Sequence, residues 1–171
     1  MKLISTLLER CEPAIEATCR LVARLCRSQQ TFYAEGMPYL TRHYFTKRST
    51  EGRRFGVYLH YFHMGDPDAS LHNHPFDSSF SIILTNGYLE ERWDKSTEQV
   101  VLNTLRPGDF NIIRQNDFHR VDLRNPTKGA WTIFFSGTKV SDWGFWWPGV
   151  HPYVSHQDYI RSRDNALKYR S

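Results

Sequence analysis

With 171 residues, 40% of them hydrophobic, the chain has enough material for one domain with a sizeable core and no need of a second. No run approaches the roughly twenty apolar residues of a membrane span. The net charge of +4 comes from scattered groups such as Arg53-Arg54 and Arg161, Arg163, Lys168 and Arg170, without the basic, aromatic-laced stripe of a nucleic-acid surface. The expectation is a soluble cytoplasmic protein that binds neither membrane nor nucleic acid.

The opening Met1–Leu8 is basic and partly apolar, but Glu9 and Arg10 interrupt it too early for a secretory leader. From residue 3 to 28, Leu3, Leu7, Leu8, Cys11, Ile15, Val22 and Leu25 recur at near-helical spacing, which predicts an amphipathic helix with a break at Pro13. It packs on the rest of the domain or on a second subunit, so a homodimer stays open. Cys11, Cys19 and Cys26 all fall in this helix; an odd number without Cys-x-x-Cys reads as reduced, buried thiols.

From Tyr39 the pattern changes to short aromatic and β-branched runs at 39–46, 55–63, 69–74, 79–85, 87–93, 99–105, 109–114, 118–124 and 130–136. Turn chemistry separates many of them, at Asn86-Gly87, Arg106-Pro107-Gly108-Asp109 and Asn125-Pro126-Thr127-Lys128-Gly129. About eight strands at such spacing predict a mainly β, double-sheet jelly roll. The aromatic stretch 142–149 follows, with Trp143 and Trp146, which either roofs a pocket or closes the barrel against the N-terminal helix. Ser155-His156-Gln157-Asp158 has the form of a capping box that starts a short terminal helix. The expected division is 1–35 helical, 36–150 barrel and 151–171 C-terminal helix.

The densest chemical signal is His72-Asn73-His74 with His119 behind the turn at 106–109. Alternate residues of a strand share a face, so His72 and His74 can aim at one ion, and a third ring from a neighbouring strand completes a facial site with open positions. His119 shares the side of Val121 and Leu123, the apolar side, and therefore points inward. An inward imidazole needs a partner, either a metal or a hydrogen bond within the core.

These residues resemble the two motifs of the cupin superfamily over about residues 55–136. His72, His74 and Gly87 fit the first motif, and Gly108 and His119 stand at the separation of the second. Arg114, Asn116 and Leu123 depart from the second in type, and the Glu of the first is absent from Ser78-Ser79-Phe80. The runs Tyr58-Leu59-His60, Leu71–Asp77, Ile82-Ile83-Leu84 and Gly87-Tyr88 look like those of small stand-alone cupins of bacteria and phages. The resemblance implies a double-stranded β-helix with His72, His74 and His119 as metal ligands. Three neutral rings leave a divalent ion its full charge, which favours anionic co-ligands. The set is similar to that of cupin thiol and diketone dioxygenases, which implies Fe(II), with Zn, Ni or Mn as other candidates.

Around this centre, His60 with Tyr58 on the preceding strand reads as a substrate contact or catalytic acid. Asp77 reads as a carboxylate ligand, an orienting acceptor or a turn residue. Arg114 and Arg120 are candidates to grip a carboxylate, including that of 2-oxoglutarate, although neither Arg120 nor Arg124 has the spacing common in enzymes using that cosubstrate. The function expected is oxygen-dependent oxidation or hydroxylation of a small-molecule or peptidic substrate by a non-haem iron dioxygenase or hydroxylase. The alternatives are a non-enzymatic ligand-binding cupin with a structural or vestigial metal, and a metal-assisted isomerase or lyase.

Overall fold

The computed structural model describes residues 2–34, 36–45, 55–67, 69–159 and 161–162. The amphipathic segment forms two helices, α1 (Lys2–Arg10) and α2 (Glu12–Leu25). Proline is tolerated in the first turn of a helix but not in its interior, so the chain restarts after Cys11 and places Pro13 in the first turn of α2.

Twelve strands follow: β1 (Ser28–Ala34), β2 (Met37–Tyr44), β3 (Gly56–Phe62), β4 (Leu71–His72), β5 (Ser78–Ile83), β6 (Tyr88–Asp94), β7 (Gln99–Leu105), β8 (Phe110–Arg114), β9 (His119–Leu123), β10 (Ala130–Ser136), β11 (Gly144–Trp147) and β12 (His151–Ser155). They form two six-stranded sheets, β1-β2-β3-β10-β5-β8 and β12-β11-β4-β9-β6-β7, with every pairing antiparallel. Consecutive strands β4, β5 and β6 alternate between the sheets, as do β8, β9, β10 and β11, which is the winding of a double-stranded β-helix.

Each run read as a strand contains one. Three strands were not expected. The polar β1 lies within the stretch 1–35 taken as helical, and its hairpin partner is β2. The pair β11 and β12 arises from the aromatic stretch and from residues 151–155, the part of the C-terminal segment that leads into the capping box. Helix begins only at His156, where Ser155 Oγ accepts the amide proton of Asp158 at 3.2 Å and donates to its carboxylate at 2.7 Å. Residues 163–171 lie outside the described residues.

The Asn86-Gly87 turn between β5 and β6 needs its glycine: φ is +86° and a Cβ would collide with the carbonyl oxygen of Leu105. Alternation then sorts each strand into two faces. On β3 and β10, Leu59 and Trp131 turn outward and are covered by Ile15, Cys19 and Val22 of α2, so the helix packs on the barrel's own sheet. Burial pushes the Cys19 thiol up to about 11, which makes it an inert part of this contact. His60, Phe62, Thr132 and Phe134 turn the other way and line the barrel interior.

Candidate metal centre

A cavity of about 400 Å³ opens between the sheets, walled mainly by aromatic side chains. At its floor, β4 and β9 run side by side with His72 opposite His119 in register. His74 lies two residues beyond the end of β4, on the same side as His72. Asn73, between them, locks this segment in place: its backbone N–H bonds to Gly144 O, its side-chain oxygen accepts from Gly144 N at 2.8 Å, and its amide donates to Gln115 O. The two histidines flanking it therefore project into the cavity together.

The candidate ligand atoms of His72, His74 and His119 all lie within 4.8 Å of one another. His74 Nε2 and His119 Nε2 are 3.0 Å apart. Two nitrogens each about 2.1 Å from one ion and at right angles to each other stand about 3.0 Å apart, so this spacing fits neighbouring ligands of a facial site. Among the described residues this is the one cluster of three or more metal-binding side chains.

The chemistry of the donors agrees with the spacing. His119 is 4% exposed and Glu90, on β6, is 2% exposed. His119 Nδ1 stands 2.7 Å from Glu90 Oε1. A carboxylate only accepts, so it takes the Nδ1 proton and leaves the Nε2 lone pair facing the cavity. Glu90 is itself held by Asn111 Nδ2 at 2.8 Å and by Arg92 at 2.9 Å. Burial pushes the Glu90 carboxyl up, but the hydrogen bonds and charges of His119 and Arg92 outweigh it and bring it down to about 2. Behind His72, Asp66 Oδ2 stands 3.7 Å from Nδ1. Asp66 is fixed by the Val121 amide at 2.7 Å and by the Tyr39 hydroxyl. Burial first, then the electrostatic influence of His119, His72, Arg42 and His60, keeps His74 well below the ordinary imidazole value, which favours the neutral ring that a metal ligand needs.

Glu90 and Asp66 were not singled out from sequence. The carboxylate sought at residues 78–80 has no place there, because β5 turns Ser79 and Ser81 inward; a carboxylate reaches His119 from β6 instead. The available signal was parity: Glu90 shares the inward side of Tyr88 within a strand, where a charged residue demands a partner.

The other expected site residues divide sharply. His60, 3% exposed, and Trp143 line the cavity, with the Trp143 ring 6.2 Å from that of His72. Tyr58 lies beneath the wall, stacked on His60 at 5.9 Å, and is not among the lining residues. Asp77 does not reach the metal cluster. It is exposed, and its Oδ1 accepts the amides of Ser78 at 2.6 Å and Thr138 at 3.0 Å, the work of a turn residue. Arg114 is exposed on β8, at the far edge of the first sheet. Arg120 pairs with Glu91 at 2.8 Å, and Arg124 with Glu9 at 2.9 Å, both away from the cavity because they alternate with the inward side chains of β9. Trp146 packs edge-on against Trp93 and Phe118 on the outside, so the aromatic stretch contributes Trp143 and Phe145 to the cavity and Trp146 to the second sheet's outer face.

No family profile matches the chain, and no curated protein matches it. Solved structures do. The Fe(II) form of HppE with an alternative substrate superposes with a TM-score of 0.51 at 14% identity, over 64% of this chain and 55% of that one. Oxalate oxidase in complex with glycolate gives a TM-score of 0.44 at 14% identity over 53% and 45% of the two chains. An uncharacterized conserved protein with a double-stranded β-helix domain from Klebsiella pneumoniae gives 0.47 at 13% identity over 67% and 89%. This chain spans little more than half the length of HppE, and the likeness is one of fold. Fold and site together define a double-stranded β-helix barrel with three convergent histidines.

Proposed function

We propose that the protein is a metal-dependent cupin oxygenase that binds Fe(II) through His72, His74 and His119 and oxidises or hydroxylates a small-molecule or peptidic substrate. The observation that carries this is the triad itself: two Nε2 atoms 3.0 Å apart in a cavity, with a buried carboxylate on the far side of one ring. The choice of iron draws on the Fe(II) in HppE, whose barrel this chain resembles. Iron, when bound, supplies the redox chemistry by which dioxygen reacts with an organic substrate. The chain does the rest. Glu90 accepts a hydrogen bond from Nδ1 of His119 and so fixes that ring's tautomer and orientation, while Asp66 places a carboxylate 3.7 Å from Nδ1 of His72. Phe62, Phe134, Phe145 and Trp143 exclude water around the substrate. Arg114, Arg120 and Arg124 lie outside the cavity, so none of them is placed to hold the carboxylate of 2-oxoglutarate.

The test is oxygen consumption by protein loaded anaerobically with Fe(II), with candidate substrates, with and without 2-oxoglutarate. Substrate-dependent uptake that disappears in His72→Ala is the expected result. One observation favours a second reading, a non-enzymatic ligand-binding barrel: the 3.0 Å contact of His74 and His119 also serves as a direct hydrogen bond. Iron binding without oxygen uptake across a substrate panel would favour that reading.

A further inference from the structure

Opposite the three histidines, the first sheet carries a polar row across an otherwise aromatic wall. Arg42 on β2, His60 on β3 and Thr132 on β10 are register partners, and all three line the same cavity as the triad. Arg42 donates through Nε to His60 Nε2 at 2.9 Å. Its guanidinium lies 4.9 Å from the centre of the Tyr58 ring and 5.2 Å from that of Phe32. The Nε edge is thus committed, and two aromatic rings pack close to the guanidinium carbon, which restrains the fork. The terminal amino groups make no hydrogen bond, and no carboxylate pairs with Arg42, among the described residues. Thr132, 1% exposed, also has a buried hydroxyl without a hydrogen-bond partner there. A half-buried cation whose amino groups meet no protein acceptor and a buried hydroxyl without a partner share one cavity, an arrangement suited to a ligand that accepts hydrogen bonds.

We propose that Arg42 binds the carboxylate of this protein's substrate, whose apolar body lies along Phe32, Phe62 and Phe134. The fork offers two parallel N–H donors, the geometry of a carboxylate. Arg42 is the one Arg or Lys among the described lining residues, and Asp66, already held by the Val121 amide and the Tyr39 hydroxyl, is the one Asp or Glu. His60 is then a positioning residue: its ring accepts the Arg42 Nε proton and aims the fork. The inference rests on the reading of this cavity as the substrate site but not on the metal.

The two can therefore fail separately. The experiment uses metal-free full-length protein, dialysed against EDTA at neutral pH and titrated calorimetrically with 3-phenylpropanoate and with its neutral isostere 3-phenylpropanamide. Wild type is expected to prefer the acid by about tenfold or more, Arg42→Lys by about threefold, and Arg42→Gln by less than about twofold. Circular dichroism and melting verify that each variant is folded; if Arg42→Gln is not, Arg42→Lys decides. The proposal is overturned if wild type takes acid and amide alike or neither, or if a folded Arg42 variant keeps the full preference. Loss of the preference in Arg42→Gln with no oxygen uptake by the iron-loaded protein would leave the anion site standing and sink only the oxygenase.

Discussion

The two walls of the cavity each present buried imidazole, and they equip it in opposite ways. On β4 and β9, His72 and His119 have carboxylates behind them, Asp66 and Glu90. On β3, His60 has a guanidinium in front, and its Nε2 lone pair is already taken by Arg42. A carboxylate behind a ring draws the proton to the far nitrogen and raises the basicity of the near one, whereas a cation in front consumes the lone pair and lowers it. Burial, then the electrostatic influence of Arg42 and His43, holds His60 well below the usual imidazole value, which suits the substrate-contact reading of this residue better than the acid one. Two of the three clustered histidines thus have a carboxylate behind them, whereas His60 faces a cation.

The sharpest way to break this contrast is to remove the charge from the ligand wall. Glu90→Ala leaves Arg92 and the Asn111 amide without their buried acceptor, and is expected to destabilise the fold by about 3–5 kcal/mol in urea unfolding. A loss under about 1 kcal/mol would mean that the carboxylate is not integral to the wall.

Acid titration reads the same group in the intact protein. The Glu90 carboxyl is held at about 2, below the ordinary 4.5, so the unfolded chain takes up the proton first. Its stabilisation is complete above pH 4.5 and is lost as pH falls toward 2, an effect of about 3 kcal/mol. Glu90→Gln should flatten this part of the stability profile; an unchanged acid limb would contradict the assignment.

Glu90→Gln also sharpens the comparison at the metal. An amide keeps the shape but is a poorer acceptor for Nδ1, and metal affinity is expected to fall about 10–100-fold in a chelator competition. On the opposite wall, His60→Phe should change that affinity by no more than about threefold, since His60 supports a cation and not an ion site. Equal losses in both variants would erase the distinction between the walls.

The barrel and the triad were legible in the sequence because both follow from period-two alternation. His72 and His74 are two residues apart, and His119 shares its side with Val121 and Leu123, so convergence could be read directly. What supports the triad could not be read the same way. Glu90 meets His119 across 29 residues of chain, and Arg42 meets His60 across 18, through strand pairings that no local pattern specifies. Asp77 was attractive for its closeness to His74 in sequence, yet the backbone turns at Pro75 and the loop amides of Ser78 and Thr138 claim its carboxylate. The strand β1 was hidden because Ser28-Gln29-Gln30 follows a helix without a breaker and carries little β propensity.

The most direct test of the account is metal content. Wild type, His60→Ala and His119→Ala are loaded anaerobically with Fe(II), dialysed and assayed by elemental analysis. About one iron per chain is expected in wild type and His60→Ala, and less than about a tenth of that in His119→Ala. Wild-type protein that retains no metal, or a His119→Ala variant that retains as much as wild type, would contradict the claim that His72, His74 and His119 form a metal site.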